Sequence, residues 1–320
     1  MRYWSSIALF SFAVAAGCAG QQATPSVPGV ATDAARAAIA RPAHAHSWML
    51  PEAKAQTLLY SANVYTVTAY TYPGGKLVGT LNNFDNPYGI CSDSHGNVYV
   101  TDSRFSKIYE YAHGGTKVIR TLRDPLYQPY GCAIDPITGN LAVTNYEDAS
   151  AREGNVVIYK KARGFPQSYI SYGFYYYYWC AYDSSGNLFI DGTYDYGEGF
   201  LLAELAKGKH VFQDLNFTKQ LSFPGGIAWD GKYLAILDPS TAAIYQFSIG
   251  NGLATLENTT DLQGTSYLNG LTIDGSTALV PNQFNSGSNV LFYNYPAGGS
   301  PAKTLSKSIL DPFSVAISKP

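Results

Sequence analysis

Charge is what this chain has least of. Of its 320 residues only 14% are Asp, Glu, Lys or Arg, against roughly 25% in an ordinary soluble protein. With 21 basic and 23 acidic side chains and a net charge of -2, there is no basic footprint to hold nucleic acid or an anionic lipid surface, and both are excluded as partners. Solubility must come from Ser, Thr, Asn, Gln, Gly and Tyr, which suits an extracytoplasmic β protein. Helical periodicity is missing as well, since no window sustains a 3.6-residue apolar repeat. There is no G-x-S-x-G, H-E-x-x-H or phosphate-binding glycine loop. Histidine is scarce: His44 and His46 lie in a stretch without strand alternation, His95 and His113 in hairpin turns, and His210 in an outer strand region. None is placed to activate a nucleophile, which a base must approach to within about 3 Å.

Long hydrophobic runs are also lacking, apart from one at the N-terminus that is too short to span a bilayer comfortably. Met1-Arg2 gives a basic start, Tyr3 to Ala16 an apolar run, and Ala15-Ala16-Gly17-Cys18 a small-residue cleavage site, the layout of a signal peptide. Small residues directly before a cysteine resemble the lipobox of bacterial lipoproteins, with Ala15 where Leu is commoner. That resemblance implies that Cys18 is lipidated, and that the protein is exported and anchored to a bacterial cell envelope by that lipid alone. The alternative is an ordinary secretory signal and a secreted or periplasmic protein. Residues 19–54, rich in Ala, Pro and Gln, read as a flexible tether. Such a linker cannot hold a closed coordination sphere, so His44 and His46 are not assigned a metal.

What is abundant is tyrosine, 27 of them, including the run YYYYWC at 175–180. Beneath it lies an internal repeat. NPYGICSDSHGNVYVTD (86–102), QPYGCAIDPITGNLAVTN (128–145), YYWCAYDSSGNLFIDG (177–192), PGGIAWDGKYLAILD (224–238) and LNGLTIDGSTALVPN (268–282) share one pattern. The marker residues Asp93, Asp135, Asp183, Asp230 and Asp274 recur roughly every 40 to 50 residues, the spacing of propeller blades. The chain ends in DPFSVAISKP, which matches only the first strand of the pattern, while YPGGKLVGTL (72–81) parallels YAHGGTKVIRTL and YPAGGSPAKTL, the later strands. Five blades are continuous and a sixth is assembled from both termini, which removes free sheet edges. The expected fold is therefore all-β, a six-bladed β-propeller over residues 55–320. The core P-x-G-[IL]-x-x-D-x-x-G-N-[LV]-x-V resembles NHL-repeat propellers and, more distantly, gluconolactonase-like ones.

In such propellers the loops leading into the inner strands share a face with the turns between second and third strands, and that face carries the binding site. Five residues before each marker stand Tyr88, Tyr130, Tyr178, Gly225, Asn269 and, in the last repeat, Phe313. They are expected to ring the channel mouth. The second-to-third-strand turns carry a polar residue, read as Asn63, Asp102, Asn145, Asp191, Asp238 and Asn282, suited to capping the turn through its own backbone. Two turns are long and acidic: NYEDASAREGN with Tyr146, Glu147, Asp148 and Glu153, and DGTYDYGEGF with Asp191, Tyr194, Asp195 and Glu198. Insertions collect on the binding face, so Tyr146, Tyr177 and Tyr194 join the candidate ligand set. Aromatic faces beside carboxylates suit a carbohydrate, a peptide or a cationic group on a protein. Asp191, Asp195 and Glu198 form a weak calcium pattern, because Leu202 replaces the terminal bidentate acid.

The gluconolactonase-like resemblance implies a metal held by a Glu, an Asn and an Asp. Asn269 of LNGL matches, but NPYG has no glutamate and PGGIAWD no aspartate at the required place. The leading expectation is a non-catalytic ligand- or protein-binding module. The alternatives are a metal-dependent hydrolase or lactonase at the channel mouth, and an interaction scaffold without a pocket. With Cys18 lipidated, Cys91, Cys132 and Cys180 remain. Cys132 and Cys180 share a register and read as apolar thiols; Cys91, one step away, points oppositely and can face Cys132, leaving a Cys91–Cys132 bridge open.

Overall fold

A computed structural model describes residues 45–125, 127–194, 198–283 and 287–320. Cys18, the lipobox, most of the tether and Asp195 lie outside the described residues. The chain forms six small sheets of four or five strands, antiparallel except where Asn216–Phe217 pairs in parallel with Leu253–Asp261 at the outer edge of blade 4, arranged as a six-bladed β-propeller. Blade 1 consists of Pro87–Ser92, Val98–Asp102, Lys107–Tyr111 and Val118–Arg123. Blades 2, 3, 4 and 5 begin their inner strands at Tyr127, Tyr176, Ile227 and Tyr267.

Blade 6 closes the ring as the repeat requires. Ser314–Ser318 pairs antiparallel with Leu58–Ala62 along its whole length, from Leu58 opposite Ser318 to Ala62 opposite Ser314. Val67–Thr71 and Leu77–Leu81 follow. The tether boundary moves, however. Trp48–Met49 adds a fifth, outermost strand against Gly79 and Thr80, and Pro51–Ala55 is a 3-10 turn whose Ala53 is fully buried. The physical reason is edge protection: the outer strand of this blade would otherwise expose its hydrogen-bonding groups, and the Leu50 N–H bonds Val78 O at 2.8 Å.

The D-x-x-G-N hairpins have a local explanation. Asp93 Oδ1 accepts the N–H groups of His95 and Asn97, both at 2.9 Å, and Asn97 Nδ2 returns a bond to Asp93 Oδ2 at 2.9 Å. Asp183 repeats this with Ser185 and Asn187. The intervening Gly96 and Gly186 take φ of 77° and 84°, which a Cβ would oppose. Equivalent turns of blades 5 and 6 share a cis Tyr–Pro peptide, Tyr295–Pro296 and Tyr72–Pro73.

The core lies between blades. The second strands are buried on both faces, Val98–Asp102 and Leu234–Asp238 throughout, so they read as near-continuous apolar runs, not as alternation. Cys91 and Cys132 form a disulfide across the joint of blades 1 and 2, with Cα atoms 5.9 Å apart. Cys132 and Cys180 do share a direction, each sulfur approaching a carbonyl of the preceding blade, Tyr99 O and Ala142 O, at 3.9 Å. Burial pushes the Cys180 thiol far above its ordinary range.

Candidate functional site

The loops leading into the inner strands bring the ring residues together, and they touch each other. Tyr88 stacks on Tyr130 at 4.6 Å between centroids and meets Phe313 edge-on at 4.3 Å. Tyr130 also contacts Tyr178 at 5.5 Å and Trp179 at 5.1 Å, and Tyr178 contacts Phe223 at 5.4 Å. Above them Tyr146 stacks on Tyr176 at 4.3 Å and lies 5.3 Å from Tyr178. These edge-to-face and offset geometries are the favourable ones for aromatic pairs. Tyr130, Tyr178 and Phe313 are buried, and Tyr88, Tyr146 and Tyr176 half-buried. The aromatic sector of the mouth is a plug.

The remaining sector is polar. Gly225 offers no side chain, and Asn269 is only 5% exposed with Nδ2 lacking a partner. Gln283, 3% exposed, leaves both amide atoms unpartnered. Sequence reading missed Gln283. It occupies the position of Tyr146, whose ring lies 5.9 Å from Tyr130, and Tyr130 is the blade 2 counterpart of Asn269. Buried amides of this kind are ordinarily satisfied by internal water.

The candidate set changes in two places. Tyr177 does not reach the mouth. Its side chain enters the core between blades 2 and 3 with Phe174, and its hydroxyl bonds Ser171 O at 3.1 Å while accepting the Ser171 N–H at 2.9 Å. Strand alternation sends it away from Tyr178. Asp191 is misaligned by one residue in the sequence reading. Cys180 pairs with Ile190, as Ile90 does with Val100 and Cys132 with Val143, so Asp191 matches Thr101 and Thr144, and Gly192 takes the turn position. Asp191 is fully buried, its Oδ1 accepts the Trp179 N–H at 2.7 Å, and burial raises its pKa well above the carboxylate range. It therefore leaves the calcium set. Glu198 begins the third strand of blade 3, and among the described residues no three His, Cys, Asp or Glu side chains converge.

The true turn positions latch more than their own turns. Asp102 accepts the N–H groups of Asp85 and Asn86 at 2.9 and 3.1 Å, Asp238 those of Ser222 and Ser240, and Asn282 those of Ser266 and Tyr267. Each thus holds the loop leading into its own inner strand. The acidic turn of blade 2 is likewise committed. Asp148 binds the Ser150 and Arg152 N–H groups and pairs with the Arg152 guanidinium at 2.7 Å, and Gln128 donates to Glu147. Gly154 N–H bonds Tyr175 O at 2.9 Å, which joins this turn to the YYYYW loop.

Around the plug, on the same face, stand partly exposed apolar side chains: Phe105 is 41% exposed, Tyr194 49%, Tyr267 47% and Leu310 48%. A cavity of about 370 Å³ lies below the aromatic ring and is walled by all six inner strands, reaching Tyr182, Trp229, Asp274 and Lys319 at the hairpin face.

No protein-family model matches the chain, and no curated protein matches it. Solved structures do. The chain is similar to a propeller in a nidogen/laminin complex, with a TM-score of 0.67 and 16% identity over 82% of this chain and 98% of that one. A protein of unknown function from Bacteroides caccae is similar with a TM-score of 0.61 and 9% identity, over 83% of this chain and 100% of that one. At such identities the likeness establishes the fold, a six-bladed propeller compatible with a binding or interaction module.

Proposed function

We propose that this chain is an exported, NHL-like propeller lipoprotein, tethered by Cys18 to a bacterial envelope, that binds a partner protein with its loop face. The observation that carries this reading is a face whose aromatic sector is filled by ring contacts and which carries Phe105, Tyr194, Tyr267 and Leu310 partly exposed around it. The aromatic sector of the mouth is filled by its own rings, whereas exposed aromatic anchors on a rigid scaffold are what protein interfaces use. The Cys91–Cys132 bridge is in keeping with an oxidising compartment, and a similar propeller occurs in a nidogen/laminin complex.

The test is site-specific photo-crosslinking in cells. A crosslinking amino acid replaces Phe105, Tyr194 or Tyr267 in turn, with Ile137 of the opposite hairpin face as control. A discrete adduct from the loop face and none from Ile137 is expected. Adducts from the Ile137 face alone, or no adduct from any of the three, would refute the reading.

A further inference from the structure

Five of the six joints between neighbouring blades are closed at the same point, the backbone carbonyl of the ring residue of the next blade. Blades 4 and 5 do this directly: Gly226 N–H bonds Asn269 O at 3.1 Å and Gly270 N–H bonds Phe313 O at 2.9 Å. In blade 6 the Ser314 hydroxyl donates to Tyr88 O at 2.5 Å. Blades 1 and 2 use a relay. Gly89 N–H donates to the Thr101 hydroxyl at 2.7 Å, which donates to Tyr130 O at 2.7 Å. Gly131 N–H donates to the Thr144 hydroxyl at 3.0 Å, which donates to Tyr178 O at 2.6 Å.

Blade 3 has the first half of that relay. Trp179 N–H, in the place of Gly89 and Gly131, is taken by Asp191 Oδ1 at 2.7 Å. The carbonyl awaiting the second half, by the repeat, is Gly225 O. Oδ2 of Asp191 is buried with no hydrogen-bond partner, and an ionised carboxylate has no proton to give.

We infer that Asp191 is held in the folded protein as a neutral carboxylic acid whose Oδ2–H donates to the Gly225 carbonyl, completing the ring of blade-to-blade latches. Among the described residues no charged group faces it to favour the anion. Its cross-strand partners are Leu202 and the Trp179–Cys180 segment, by the repeat the facing stretch of blade 4 is Gly225, Gly226 and Ile227, and the titratable neighbour among the described residues, the Cys180 thiol, is itself buried. Desolvation raises its folded pKa well above the ordinary value. The group is an anion once unfolded above about pH 4 and a neutral acid when folded. Its contribution to stability is thus complete below the unfolded pKa and is lost as pH rises through the folded one. This inference is independent of which face binds a partner.

The test uses the full chain as wild type, D191T, D191N and D191A. Infrared difference spectra at neutral pH should show a protonated-carboxyl stretch in wild type that D191T lacks. D191T and D191N supply both an acceptor and a donor, and should melt within about 2 °C of wild type at low pH, with D191A roughly 2–6 °C lower. From about pH 4 to 8 the wild type should lose melting temperature relative to D191T. The inference is overturned if D191T leaves the carboxyl band unchanged, or if wild type gains on D191T as pH rises. It is equally overturned if a chelator lowers the melting of wild type but not of D191T, which would put a cation on Oδ2.

Discussion

Reducing the Cys91–Cys132 bridge should weaken the whole ring by an amount that loop closure sets. The two cysteines are 41 residues apart in sequence, and the chain-entropy relation for a loop of that length gives about 4 kcal/mol at 25 °C. The figure is an upper value, because residual structure in the unfolded chain already restricts the loop, so about 2–4 kcal/mol is expected. For a domain of this size the melting temperature moves roughly 2–4 °C per kcal/mol, hence on the order of 10 °C. The same polypeptide, oxidised and reduced, is to be unfolded in urea and the midpoints compared at equal slope. Alkylation of the unfolded oxidised chain, followed by peptide mass analysis, should leave Cys91 and Cys132 unmodified and Cys180 labelled. Coincident midpoints, or labelling of Cys91 or Cys132 before reduction, would refute both the bridge and the register reasoning behind it.

Tyr130 touches Tyr88, Tyr146, Tyr178 and Trp179, so Tyr130→Ala should cost about 3–5 kcal/mol by chemical denaturation, as large aromatic truncations do, whereas Tyr130→Phe keeps the rings and should cost far less. Equal losses for the two would show that the hydroxyl, not the plug, matters. Gly226→Ala should fail to give a soluble, cooperatively melting protein, because the added Cβ would stand 1.9 Å from Leu271 N and would also push apart the Gly226–Asn269 latch. A normal melting curve for that variant would mean that the joint between blades 4 and 5 is looser than described.

Whatever is written locally and repeated was legible in the chain: the marker aspartates, the hairpin chemistry they serve, the count of blades, and the pairing of Leu58–Ala62 with the C-terminal strand. A propeller blade interacts with its neighbours only, so the repeat by itself determines the ring and lines up Tyr88, Tyr130, Tyr178 and Phe313 at one level. The sequence did not say whether those rings would line a cup or fill it. That depends on how far apart six blades hold them, and the 4.3–5.5 Å centroid distances among them belong to the assembled ring. A one-residue slip in reading blade 3 put Asp191 on a turn when its partner is an inner-strand N–H, and only pairing with Cys180 and Trp179 resolved it. Tyr177, one residue from Tyr178, faces the opposite way because a strand alternates. Local periodicity decides which residues recur; the closure of the ring decides which of them meet, which are buried, and which face is left open to a partner.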